Sequence, residues 1–171
     1  MVSFVQVVAL PSAFAFAALM CGTLQEAYAN DDQSGLSVRV GLVHSLSGTM
    51  AVVEKGLVAA ELLAIDQINS EGGVSVNGRE YFIEAIVKDG GSRWPLYAHQ
   101  AKQLIDRDRV PVVFGGWTSA SRKAMLPVVE SRDSLLFYPL YYEGQECSKT
   151  IFYTGATTSQ QSEPPQRSKF R

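Results

Sequence analysis

Short apolar runs alternate with amphipathic stretches along most of this chain. Runs rich in β-branched and aromatic residues predict strands, and apolar residues at three- and four-residue steps predict helices. The predicted strands are Val38–His44, Tyr81–Val87, Val110–Phe114, Ser134–Tyr138 and Ile151–Tyr153. The predicted helices are Met50–Asn69, Ser92–Arg107 and Ser119–Ser131. This alternation of apolar strands with helices predicts an α/β fold, a doubly wound, mostly parallel sheet with helices on both faces.

The first predicted helix carries a regular apolar stripe, and Gly72-Gly73 predicts its end because glycine tolerates the left-handed backbone of a C-terminal cap. Asn77-Gly78 then predicts a tight turn. We expect the stripe to face the core. It consists of Val53, Leu57, Ala60, Leu63, Ala64 and Ile68.

The two ends of the chain differ in composition from the middle. Val2–Met20 is almost wholly apolar and Ala27-Tyr28-Ala29 fits a cleavage site, so residues 1–29 are predicted to be a secretory signal peptide cut after Ala29. A retained anchor or a lipid-modified Cys21 is the alternative. Residues 30–161 form the predicted α/β lobe. Thr157–Arg171 is polar with no apolar period, and residues 162–171 are predicted to be a disordered tail. Because a doubly wound domain should continue here, we expect a truncated or frame-shifted product.

Composition and motifs exclude several functions. The composition, 46% hydrophobic and 19% charged residues, is typical of a globular domain. The net charge of −2 gives no indication of a basic surface for binding nucleic acid. Two cysteines without CxxC or CxxH spacing give no support for a metal cluster. GxSxG, P-loop and GxGxxG motifs are missing from the sequence, so we expect neither an enzyme nor a cofactor.

Polar and aromatic residues follow the predicted strands where a parallel sheet binds ligands, at its carboxyl edge. Right-handed crossovers place residues 45–49, 89–92, 115–119 and 139–144 along that edge. The candidate ligand-binding residues are Ser47, Trp117, Thr118, Ser119, Tyr138 and Tyr142. Hydroxyls and helix N–H groups would hold a carbonyl or carboxylate, and the aromatic side chains would wall a small pocket.

Each candidate has a structural alternative. Thr118 or Ser119 would cap the third helix, Ser47 would cap the first, and the tyrosines would pack in the core. Asp89 is interpreted as a turn residue, and Arg122-Lys123 as a solvated helix face. His44 and His99 have no partner in the sequence and are poor catalytic candidates.

Four segments carry a family resemblance: HSLSGTMA at 44–51, GWTSASRKAMLPVVE at 116–130, FYPLYYEGQECS at 137–148 and IFYTGA at 151–156. They resemble type I periplasmic solute-binding proteins of the urea and short-chain amide branch, over roughly Val38–Gln161. The resemblance implies two lobes that close over the ligand, and an ABC importer permease as partner. It also implies ligand contacts at Trp117, Ser119 and Tyr138, whereas Leu140 replaces a polar residue of the amide sensors.

The resemblance makes this chain the first lobe alone, because family members are more than twice as long. A cleft binder gains affinity by burying its ligand between lobes, so we expect urea or amides to bind weakly or not at all. A cytoplasmic amide sensor is the alternative function, and the signal-like N-terminus favours the importer. A hydrolase using Ser119 is disfavoured because no general base lies at a recognisable position.

Overall fold

A computed structural model of the protein describes residues 36–162. The predicted signal peptide and the tail beyond residue 162 lie outside these residues. No helix of the described part is long and apolar enough to cross a bilayer.

Six strands form one sheet in the order β2-β3-β1-β4-β5-β6. Their bounds are β1 Leu36–His44, β2 Val74–Val76, β3 Arg79–Asp89, β4 Val112–Gly115, β5 Leu135–Tyr138 and β6 Ile151–Tyr153. All neighbouring pairs are parallel except β2 with β3, which are antiparallel. The predicted mostly parallel sheet is therefore confirmed, and the carboxyl ends of five strands meet at one edge.

Within residues 36–162, four helices accompany the sheet: α1 Ala51–Ser70, α2 Trp94–Asp106, α3 Ser119–Glu130 and α4 Thr158–Ser162. Because side chains alternate across a strand, the two faces of the sheet have separate partners. The main core lies on the face shared with α2 and α3. It contains Val43, Tyr97, Ala101, Leu104, Val110, Val113, Met125, Val129, Leu136, Tyr138 and Ile151.

The first helix exists as predicted, but its predicted core face is wrong. Val53 and Leu63 of the apolar stripe are 40% and 59% exposed, whereas the buried residues of α1 are Ala51, Glu54 and Val58. The helix is rotated because His44, at the end of β1, pairs with carboxylates of α1. Burial of a paired charge replaces burial of the most apolar stripe.

The sheet face next to α1 carries an apolar surface. Phe114, Phe137 and Phe152 stack across β4, β5 and β6 with ring centroids 5.1 and 4.8 Å apart. A groove of about 210 Å³ lies between this surface and α1. It is lined by Val40, Leu42, Glu61, Ala64, Ile65, Ile68, Ile83 and Phe114.

Two local features differ from the sequence prediction. β2, only three residues long, was not predicted, and it joins β3 through the predicted Asn77-Gly78 turn. The polar stretch after Thr157, for which no helix was predicted, forms the short helix α4.

Two glycines with open space around them make a matched pair of stability predictions. Gly56 lies inside α1, whereas Gly78 has φ +75°, and neither would meet an atom within 4 Å if a Cβ were added. We expect Gly56→Ala to raise the free energy of unfolding by about 0.5–1 kcal/mol, because alanine loses less entropy in a helix. Gly78→Ala should lower it by about 1 kcal/mol, because a side chain strains a left-handed residue. Guanidinium chloride denaturation measures both, and equal effects of the two changes would contradict the backbone explanation.

Candidate functional site

The candidate site lies where β1 and β4 are neighbours at the carboxyl edge of the sheet. The chain leaves β1 toward α1 and leaves β4 toward α3 on the opposite face, which makes this position a topological switch point. Asp89 organises the adjoining loops: its carboxylate accepts the N–H groups of Leu46, Ser47 and Gly91 and the hydroxyl of Ser47 at 2.6–3.2 Å. The interpretation of Asp89 as a turn residue is confirmed.

The loop after β4 turns sharply against β1 and leads directly into α3. Gly115 has φ +144°, and an added Cβ would lie 2.1 Å from the carbonyl oxygen of Val43, so only glycine fits there. Thr118 caps α3 in a capping box, its hydroxyl oxygen accepting the N–H of Ser121 at 3.0 Å. The capping alternative therefore describes the Thr118 side chain. The N–H groups of Ser119 and Ala120 belong to the first turn, where a helix provides no internal partners.

Arg122 is fully buried next to this helix end, so the interpretation of a solvated helix face is wrong for it. Its guanidinium donates to both carboxylate oxygens of Glu146 at 3.1 and 2.9 Å and to Glu143 at 3.1 Å. Its central carbon lies 4.6 Å from the ring centroid of Tyr138, with two further tyrosine rings within 6 Å. Buried charges require such pairing, because an isolated charge in a low dielectric is strongly unfavourable.

The electrostatics of this cluster keep all three groups ionised. Burial lowers the pKa of Arg122, but the carboxylates of Glu146 and Glu143 outweigh it and raise the pKa above its ordinary value. A hydrogen bond from Ser119, with help from Arg122, lowers the pKa of Glu143 to about 2. The guanidinium of Arg122 also lowers the pKa of Glu146. One cation therefore faces two carboxylates, and the cluster carries a net negative charge.

The structure brings most of the predicted site residues to this cluster. The Tyr138 hydroxyl donates to the carbonyl oxygen of Trp117 at 2.9 Å, and the Tyr138 side chain is buried. The ring of Tyr142 stacks on Tyr153 at 4.2 Å. Ser119 accepts a hydrogen bond from Arg122 at 3.2 Å. Ser47 lies in the neighbouring loop with its hydroxyl bonded to Asp89. Their roles as ligand contacts stay predictions.

A second buried network, which the sequence did not predict, fixes the loop after β1. His44 donates from Nε2 toward both oxygens of Glu61 at 3.1 Å, and its Nδ1 lies 3.6 Å from Glu54. Burial alone would lower the pKa of His44, but the two carboxylates raise it to about 9. His44 is therefore a buried cation at neutral pH and has partners that lie 10 and 17 residues away in the sequence.

Glu54 connects this network to the loops at the carboxyl edge of the sheet. Its carboxylate accepts the N–H of Ser45 at 2.7 Å and the hydroxyl of Tyr97 at 2.6 Å. The Ser45 hydroxyl bonds to Tyr97 at 2.6 Å and accepts the N–H of Ser92 at 2.9 Å. β1, α1, α2 and the loop after β3 thus meet in one polar junction directly beneath the edge.

The apolar groove beside α1 does not have the properties of the candidate site. Glu61 supplies its only charged side chain, and that carboxylate is already bonded to His44. A site for a small polar ligand needs several directed polar groups, which the carboxyl edge has and the groove lacks. Within residues 36–162, no three His, Cys, Asp or Glu side chains are grouped as a metal site requires.

The sheet order and this edge define the class of the protein: an α/β lobe whose candidate ligand site lies at a topological switch point. A family model described as a periplasmic binding protein domain matches residues 38–167, so the chain belongs to the periplasmic binding protein family. The predicted family is confirmed at this level.

Solved structures show the same fold. One is the branched-chain amino acid transporter substrate binding protein LivJ of Streptococcus pneumoniae, solved with isoleucine, at 24% identity and a TM-score of 0.64, covering 71% of this chain and 34% of that one. A branched-chain amino acid transporter of Rhodopseudomonas palustris gives 23% identity and a TM-score of 0.60, covering 72% of this chain and 33% of that one. A solute binding protein of Rhodopseudomonas palustris, solved with 3,4-dihydroxy benzoic acid, is 25% identical and gives a TM-score of 0.51. The match covers 60% of this chain and 26% of that one. The chain spans about one third of the length of the first two structures.

Proposed function

We propose that this chain is the first lobe of a substrate-binding component of an ABC importer, exported to the periplasm, and that its ligand is urea or a short-chain amide. The observation that carries the proposal is the pairing of donors and acceptors at the start of α3. The N–H groups of Ser119 and Ala120 suit a ligand carbonyl, and the Ser119 hydroxyl and Glu143 carboxylate suit ligand N–H groups. An amide presents both kinds of group within a few ångströms.

The surroundings support a small ligand. Trp117 and Tyr142 are half-buried beside these polar groups, and Tyr138 and Arg122 fill the space beneath them. In the periplasmic binding protein family the ligand lies between two lobes, and this chain supplies the surface of one. A partner permease would receive the ligand from the complete protein.

Titration of the 15N-labelled chain, followed by NMR, tests this function. We expect urea and acetamide to produce saturable shifts at residues 117–120 and 142–143 with millimolar or weaker affinity, because one lobe leaves the ligand exposed to water. Isoleucine should produce none. Ser119→Ala should weaken acetamide binding, and Ser70→Ala, at the far end of α1, is the matched control.

Two results would contradict the proposal. Saturable binding of isoleucine in preference to acetamide would overturn the amide assignment. Micromolar binding of urea in calorimetry would show that one lobe is a complete site.

A further inference from the structure

Glu143 is the exposed member of an otherwise closed ion cluster. Its side chain is 59% exposed, whereas that of Glu146 is 15% exposed and Arg122 is fully buried. Arg122 holds Glu146 with two hydrogen bonds and Glu143 with one. Because Glu146 already neutralises the guanidinium, the carboxylate of Glu143 adds an uncompensated negative charge at the surface.

The position of this charge is fixed relative to the start of α3. Arg122 donates to Glu143 at 3.1 Å. The neighbouring Ser119 hydroxyl and Arg122 lower the pKa of Glu143 to about 2, so it is anionic throughout the physiological range. Arg122 is in turn held by Glu146 and by the ring of Tyr138. A carboxylate anchored in this way cannot swing away from a ligand without breaking its bond to a buried cation.

We propose that Glu143 determines the specificity of this edge, accepting an N–H of a neutral amide ligand and excluding carboxylates. The inference rests on the proposed function and adds to it the residue that distinguishes the two ligand classes. An amide and a carboxylate of the same size differ in two respects that matter here: the amide is neutral and its nitrogen donates, whereas the carboxylate is an anion and both of its oxygens only accept. A fixed anion therefore attracts the first and repels the second, which is how a site selects against a competitor.

The isosteric pair acetamide and acetate provides the test. The full chain, Glu143→Gln and the control Glu80→Gln are titrated with each compound at pH 7 and constant ionic strength, and the shifts of residues 117–120 are followed by NMR. Glu143→Gln keeps the shape and one acceptor oxygen for Arg122 but removes the charge. Glu80 is an exposed residue near the amino end of β3, at the opposite edge of the sheet.

We expect the unaltered chain and Glu80→Gln to bind acetamide at least about fivefold more tightly than acetate, as expected for one partly exposed charge near the ligand. In Glu143→Gln this ratio should fall to near one, mainly because acetate binding improves. An unchanged ratio in a folded Glu143→Gln variant would overturn the role of Glu143 and leave the proposed function intact. Absence of saturable acetamide shifts in the unaltered chain would overturn both.

Discussion

Replacing Arg122 by alanine should lower the free energy of unfolding by about 3–5 kcal/mol, the range observed when one partner of a buried ion pair is removed. The side chain is fully buried, and its loss leaves the carboxylate of Glu146 with only the hydrogen bond from the Tyr153 hydroxyl. It also removes the packing surface between the rings of Tyr138 and Tyr142. Guanidinium chloride denaturation followed by circular dichroism measures the loss.

The neighbouring residue supplies the control. Lys123 is exposed, and Lys123→Ala should change the free energy of unfolding by less than about 0.5 kcal/mol. Arg122→Lys keeps the charge but loses the bidentate geometry, so it should be clearly less stable than the unaltered chain. A double change, Arg122→Met with Glu146→Gln, should recover part of the loss because it leaves no buried charge unpaired. An Arg122→Ala chain within about 1 kcal/mol of the unaltered one would contradict this view of the cluster.

The fold was predictable because its strands are apolar over most of their length. Runs such as 110–114 and 134–138 form strands of the sheet, and parallel strands can only be linked by crossovers, so the sheet and its carboxyl edge followed from the order of elements. β2 was missed because a three-residue edge strand has too few positions to show alternation.

The orientation of α1 could not be predicted from hydropathy. A periodic apolar stripe indicates the core face only when no buried polar group competes for it. Here Glu54 and Glu61 turn inward to pair with His44, which lies at the end of the preceding strand. The sequence does show acidic residues on a helix that follows a histidine at the end of a strand. Their spacing alone did not indicate that they pair with that histidine.

Prediction of the site was limited in the same way. The strand ends at Trp117–Ser119 and at Tyr138 followed from topology. The buried state of Arg122 depends on Glu143 and Glu146, which lie 21 and 24 residues away. A lone arginine beside a lysine on a helix gives no local indication of such partners.

Replacing Glu54 by alanine is the second change with a large expected effect, a loss of about 3 kcal/mol or more in the free energy of unfolding. The side chain is 1% exposed, and its removal leaves the Ser45 N–H without an acceptor and the Tyr97 hydroxyl with only the Ser45 hydroxyl as partner. It also takes one of two carboxylates away from the buried His44. Each unsatisfied buried donor costs about 1–3 kcal/mol. Asp66→Ala, an exposed acidic position on the same helix, is the matched control and should change stability by less than about 0.5 kcal/mol.

The pH dependence of the free energy of unfolding distinguishes two contributions of Glu54: its charge, which stabilises protonated His44, and its packing and hydrogen bonds. The pKa of His44 is raised from 6.5 to about 9, so the histidine binds its proton more tightly in the folded state, and its contribution is fully present below pH 6.5 and lost as the pH rises through 9. That contribution is about 3 kcal/mol for such a difference in pKa. The unaltered chain should therefore lose stability between pH 7 and 10, and Glu54→Ala should lose less over the same interval, because His44 then keeps only Glu61. Parallel pH profiles for the two chains would show that Glu54 acts through packing and hydrogen bonds without stabilising the histidine charge.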